Sequence, residues 1–62
     1  MMTKLPPSWR GETQARAWWR ATYDDHFRAG FSDADSRLRC WELARATRDP
    51  HKLQLATVRR NQ

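Results

Sequence analysis

Sixty-two residues carrying twelve cations against seven acids give a net charge of +5 and a pI near 10.7. A chain this short buries only about 60% of its unfolded surface, so it forms at most one domain and leaves little room for an enclosed substrate pocket. One cysteine excludes an internal disulfide, no Cys/His spacing suits zinc, and no apolar run approaches the roughly 20 residues that span a bilayer.

Residues 1–8 form a short arm in this reading, extended because Pro6 and Pro7 disfavour helix in the residues before them. They lack the apolar segment of a secretory leader, and with the lone cysteine this places the protein in a reducing cytoplasm. The weight of arginine and alanine fits a prokaryotic, phage or plasmid origin. Ser8 and Thr13 are two possible caps for the first helix. Gly11 weakens an immediate start, and Glu12 suits the positive end of the helix dipole. The helix is therefore expected from about residue 9 or 12 to residue 29, with Trp9 packing back on it as a staple.

At about 100° per residue, Ala15, Trp18, Trp19, Thr22, Tyr23, His26 and Phe27 share one half of this helix. Arg20, Asp24, Asp25 and Arg28 share the other. Adjacent residues diverge by the same 100°, so Trp19 is expected in the core and Trp18 at its flank. Arg20–Asp24 and Asp24–Arg28 lie at i,i+4, a spacing worth a few tenths of a kcal/mol per pair. Gly30 is placed to end the helix in the left-handed conformation, with Phe31 folding back onto the last turn.

Ser32 or Asp33 caps a second helix over about 33–47, with Asp33 and Asp35 in its first turn. Ala34, Leu38, Cys40, Trp41, Leu43 and Ala44 spread over most of its circumference, which predicts neighbours on two sides and a central position. The same breadth, with the aromatic face of the first helix, predicts a homodimer. Asp49-Pro50 is a cap followed by a first-position proline, so a third helix runs over about 50–60. Arg59 and Arg60 stand at its C-terminal end, where the dipole favours cations. The predicted fold is all-α: a three-helix domain over residues 9–62.

Two histidines, Cys40 and the Asp24–Asp25 pair are the groups with chemistry to offer. His26 and His51 have no local metal-ligand spacing with Cys40 or Asp25, and His26 reads as a hydrogen-bonded residue at the core edge. Cys40 has no base beside it in sequence and reads as a small buried apolar residue. Consecutive helical carboxylates point apart, so the Asp24–Asp25 pair reads as structural. Neither an enzyme nor a metal or cofactor is expected.

Ten of the twelve cations are arginine, which binds phosphate through a two-pronged fork and stacks on rings. Arg37, Arg39, Arg45 and Arg48 are scattered, and Asp35–Arg39 and Glu42–Arg45 read as paired positions on a solvated face. Residues 50–62 differ, with Lys52, Arg59 and Arg60 and no acid. Gln54, Thr57 and Asn61 share one face of that segment, while His51, Leu55 and Val58 are expected to pack inward. Amide and hydroxyl side chains read base edges and flanking cations hold phosphates. A short polar helix after a capped turn resembles the recognition element of a helix-turn-helix, although Arg48-Asp49 stands where that motif carries a small residue or glycine.

The expected function is therefore binding of nucleic acid, duplex DNA before RNA, by a small regulatory or accessory protein. The expected contacts are Arg48, Lys52, Gln54, Thr57, Arg59 and Arg60, with Arg16 and Arg20 as supporting phosphate contacts. The alternative is a protein-binding module, an adaptor or inhibitor docking tryptophan and arginine on an acidic partner, since those types dominate interface hot spots.

Overall fold

The computed structural model describes the backbone of residues 7–62 and the side chains of residues 11–62. Three helices, α1 (Pro7–Arg28), α2 (Asp33–Ala46) and α3 (Pro50–Arg60), account for its regular structure, and the described residues contain no strand. α1 starts at Pro7, earlier than residue 9 or 12. Proline suits a first helical turn because its missing N–H has no partner there in any case. Pro7 and Ser8 thus belong to the helix, the predicted arm is otherwise outside the described residues, and so is the staple assigned to Trp9.

The helix ends follow from local chemistry. Gly30 takes φ +101°, a region that side-chain-bearing residues rarely enter. Its N–H donates to the Phe27 carbonyl at 3.1 Å, and the Phe31 N–H to the His26 carbonyl at 3.2 Å. These two bonds define a Schellman motif. The Phe31 ring then meets His26 edge-on, 6.0 Å between centroids. Ser32 caps α2 by accepting from the Asp35 N–H. Asp49 caps α3 through Oδ1, which accepts from His51 N–H at 2.9 Å and Lys52 N–H at 3.4 Å.

Each helix packs against the other two, so α2 is one side of a triangle and not the central element. Gly11 meets His51 where α1 and α3 begin, and Trp19 meets Arg59 farther along both. These two helices therefore run in the same direction. Arg37, near the start of α2, reaches carbonyls at the end of α3, so α2 runs the opposite way. The three-residue connection Thr47–Asp49 suits that reversal.

The core is built on small residues. Ser36, Cys40 and Ala44 form an i, i+4, i+8 stripe along α2, all at 0% exposure; Cys40 and Ala44 cluster with Trp19 of α1 and Ala56 of α3, and Ala15 of α1 is buried as well. Small side chains at the crossings let the backbones approach, and Trp18, Tyr23, Trp41, Leu53 and Leu55 close the edges half-buried. The stripe overturns the broad apolar arc expected for α2: Ala34, Leu38 and Leu43 are exposed. On α3, Val58 is also exposed, and Leu53 and Ala56 turn inward in its place. Phe27, assigned to the covered face of α1, is 55% exposed.

No helix among the described residues is long and apolar enough to cross a membrane.

Candidate nucleic-acid interface

The cations of α3 lie on aromatic rings of the other two helices. Lys52 Nζ is 5.4 Å from the Trp18 ring centre and Arg59 Cζ is 5.1 Å from that of Trp19, both on α1. Arg60 Cζ is 4.1 Å from the ring centre of Trp41 on α2, and Arg45 Cζ is 5.4 Å from the same ring. A cation within about 6 Å of an aromatic face is attracted by the ring quadrupole without losing its charge. Arg59 leans toward α1 and Arg60 toward α2, so the pair straddles α3.

The sequence offered a carboxylate to Arg45, and to other cations of α1 and α2, and the fold uses few of them. Among the described residues the ion pairs are Arg16–Glu12 at 2.9 Å, Arg20–Asp24 at 3.8 Å and Arg37–Asp33 at 3.2 Å. Of the predicted pairs only Arg20–Asp24 forms; Asp24–Arg28, Asp35–Arg39 and Glu42–Arg45 do not. Arg39 lies 3.8 Å over the Phe31 ring, and Arg45 has taken Trp41. A ring presents a fixed apolar face to the flexible arginine stem as well as the charge. An exposed ion pair returns only about 0–1 kcal/mol.

The predicted contact residues accordingly divide. Gln54 and Thr57 of α3 and its C-cap Asn61 form an exposed outer strip, with the Thr57 hydroxyl donating to the Leu53 carbonyl at 2.7 Å. Arg48 is exposed in the turn before α3, Lys52 and Arg59 are half-buried, and Arg60 is exposed. Arg16 and Arg20 are exposed on α1, each already holding a carboxylate.

One arrangement has no signal in the sequence. The Tyr23 hydroxyl donates to Asp33 Oδ1 at 2.5 Å, and Asp33 accepts from Arg37 Nε at 3.2 Å. Arg37 Nη1 in turn donates to the carbonyls of Arg59 at 3.2 Å and Gln62 at 3.1 Å. A side chain from each of α1 and α2 thus fixes a cation on the negative end of α3, next to Arg59 and Arg60. The bond from Tyr23, then the charge of Arg37, holds the Asp33 carboxyl below the usual range. The same bond, then burial, raises the Tyr23 phenol above its ordinary value. The acceptors of Arg37 lie 22 and 25 positions away, beyond any helical spacing rule.

The remaining chemistry-bearing groups are dispersed. Among the described residues no three His, Cys, Asp or Glu side chains come together as a metal site. His26 is half-buried under Phe31 with Nδ1 unpartnered, not hydrogen-bonded as expected, and Trp19 Nε1 is likewise buried without a partner. Cys40 is at 0% exposure, and burial pushes its thiol up to about 11. The rings on α1 form a stacked ladder, Trp19–Tyr23 at 5.0 Å and Tyr23–Phe27 at 5.8 Å, that climbs from the core to the exposed Phe27.

No protein family, curated protein or solved structure compared with the chain matches it.

Proposed function

We propose that this protein binds nucleic acid, duplex DNA in the first place, as a small cytoplasmic regulatory or accessory protein. The observation that carries the reading is α3 itself. It has no acid after its cap, its three cations rest on tryptophan rings with none in an ion pair among the described residues, and the outer strip of Gln54, Thr57 and the C-cap Asn61 is exposed. Cations held on rings keep their full charge for phosphate, and losing little side-chain freedom on binding favours affinity. In this proposal Arg48, Lys52, Arg59 and Arg60 hold the backbone while Gln54 and Thr57 meet base edges. Arg16 and Arg20 play the smaller part, because each must first leave its carboxylate.

Fluorescence anisotropy with a labelled duplex tests this directly. Affinity is expected to fall steeply between about 50 and 200 mM salt, and Arg59→Gln with Arg60→Gln is expected to weaken it while far-UV circular dichroism is unchanged. Absence of binding to duplex DNA and to RNA at low salt sinks the reading.

Phe27 favours the second reading, a module that docks on an acidic protein. A phenylalanine 55% exposed at the head of a stacked ladder is a ready anchor. Trp18, on the same helix, packs against the core instead. In the adaptor reading Phe27→Ala abolishes capture of an acidic partner and leaves DNA binding untouched. Homodimerisation through α2 and the aromatic face belongs to the same proposal, supported by the exposure of Leu38, Leu43 and Phe27. Sedimentation equilibrium of the wild type and Phe27→Ala reads it.

A further inference from the structure

The geometry points to a phosphate clamp formed by Arg45 of α2 and Arg60 of α3 on the two-helix platform of Trp41. Arg45 stands outside the residues assigned to nucleic-acid contact above. Its guanidinium and that of Arg60 lie within 5.4 Å of one ring centre. Two like charges are thereby held less than about 10 Å apart, within a Debye length at 0.1 M salt. Neither is in an ion pair among the described residues, although Glu42 lies three positions before Arg45. Both side chains are exposed, and the half-buried indole fixes where they sit. Such a pair repels itself until an anion enters.

Stereochemistry selects the anion. A carboxylate offers its two oxygens in a single plane, whereas the two charged oxygens of a phosphodiester project from a tetrahedral phosphorus and each keeps lone pairs for a second donor, so two forks approaching from different sides can share them. Each guanidinium already rests against the ring, so less ordering is left for the moment of binding. The clamp's place beside acid-free α3 makes a phosphodiester of a nucleic-acid strand the ligand. In that respect the inference rests on the proposed function, although the clamp itself is testable without any nucleic acid.

Two measurements on the full chain separate the questions. In the first, inorganic phosphate is titrated at constant ionic strength, balanced with chloride, and the indole and arginine Nε–H signals are followed by NMR. The Trp41 indole is expected to shift more than those of Trp18 and Trp19, and the shift to vanish in Arg45→Gln. In the second, a 12-base-pair duplex is titrated against Arg45→Gln, Arg60→Gln and the double variant. Removing the grip on one phosphate costs about one unit of salt slope, hence about eightfold in affinity at 0.1 M salt. Each single variant is expected to weaken binding by this much and the double variant scarcely more, because both forks grip one phosphate. Arg45→Lys and Arg60→Lys, which keep the charge without the fork, guard against a folding defect and are expected to recover less than half of the affinity.

A Trp41 response no larger than that of the other indoles overturns the clamp. So does a double variant whose effect is the product of the singles. If phosphate moves Trp41 but the duplex does not bind, the clamp stands and the nucleic-acid reading falls. If the duplex binds and neither variant weakens it, the clamp falls and the nucleic-acid reading stands.

Discussion

Gly11→Ala isolates the contact that seats α3 against α1. Glycine inside a helix is worth about 1 kcal/mol less than alanine, so on local grounds the substitution stabilises. The fold reverses the sign. A Cβ built on Gly11 falls 2.5 Å from His51 Cδ2 and 2.7 Å from Nε2, closer than carbon atoms pack. The half-buried imidazole cannot retreat with its backbone, because the His51 N–H is held by the Asp49 cap at 2.9 Å. It must turn within the interface or push the helices apart. Overpacking of this kind costs about 1–3 kcal/mol, so the net expectation is destabilisation by about 1 kcal/mol. For a domain of this size that is a fall of about 4–8 °C in Tm.

The decisive assay is a thermal double-mutant cycle with His51→Ala, whose methyl leaves the space open. In that background Gly11→Ala has only its helix benefit and is expected to raise stability by about 1 kcal/mol. The cycle then gives a coupling of about 2 kcal/mol with a change of sign. If Gly11→Ala stabilises the wild type as much as it stabilises His51→Ala, the close approach of α1 to α3 is wrong, and with it the direction in which α3 runs.

The network at the end of α3 has a pH signature. Asp33 is held below the ordinary carboxylate range, so its contribution is complete above the unfolded value near 3.8 and is lost as pH falls through the lower folded value. Urea midpoints measured through this acid window are expected to drop in the wild type and to flatten in Asp33→Asn, and equal slopes refute the assignment. Tyr23 is raised, so its contribution is complete below its ordinary value of 10.0 and fades as pH climbs through the higher folded one, a decline that Tyr23→Phe removes. Cys40, buried with its thiol pushed up to about 11, is expected to react with a thiol reagent at pH 8 only as fast as the chain opens. Labelling that tracks reagent concentration without limit contradicts its burial.

What was legible in the sequence is what acts over a few residues. Gly30-Phe31, Ser32 and Asp49-Pro50 set the helix ends through side-chain and backbone bonds to immediate neighbours, so the breaks are readable without knowing the fold. Trp19 and Cys40 were legible for a related reason, since a large ring and a small thiol on an apolar face have few other uses. The facing of α2 was not legible. Its apolar residues are nearly uniform around the helix, and the choice fell on size: Ser36, Cys40 and Ala44 are small enough for the crossings, while Leu38 and Leu43 are not. Hydrophobicity predicts the reverse, because it ranks leucine over serine. Val58 gives up its inward place to Ala56 in the same manner.

The candidate interface shows the same division more sharply. Its residues were legible as a charge pattern, with cations and no acid after Asp49. What holds those cations was hidden, because each ring belongs to another helix: Lys52 to Trp18, Arg59 to Trp19, Arg60 to Trp41. The pairing rule for charges at i,i+4 presumes that a carboxylate is the best neighbour available. In a small domain whose half-buried tryptophans need cover, a guanidinium gains more by lying on a ring, where its stem removes apolar surface from water and its charge stays free. The tryptophans that make so short a chain able to fold therefore also decide where its positive charge is displayed. A substitution at Trp41 is for that reason expected to move the interface as well as the core, which neither one considered alone would suggest.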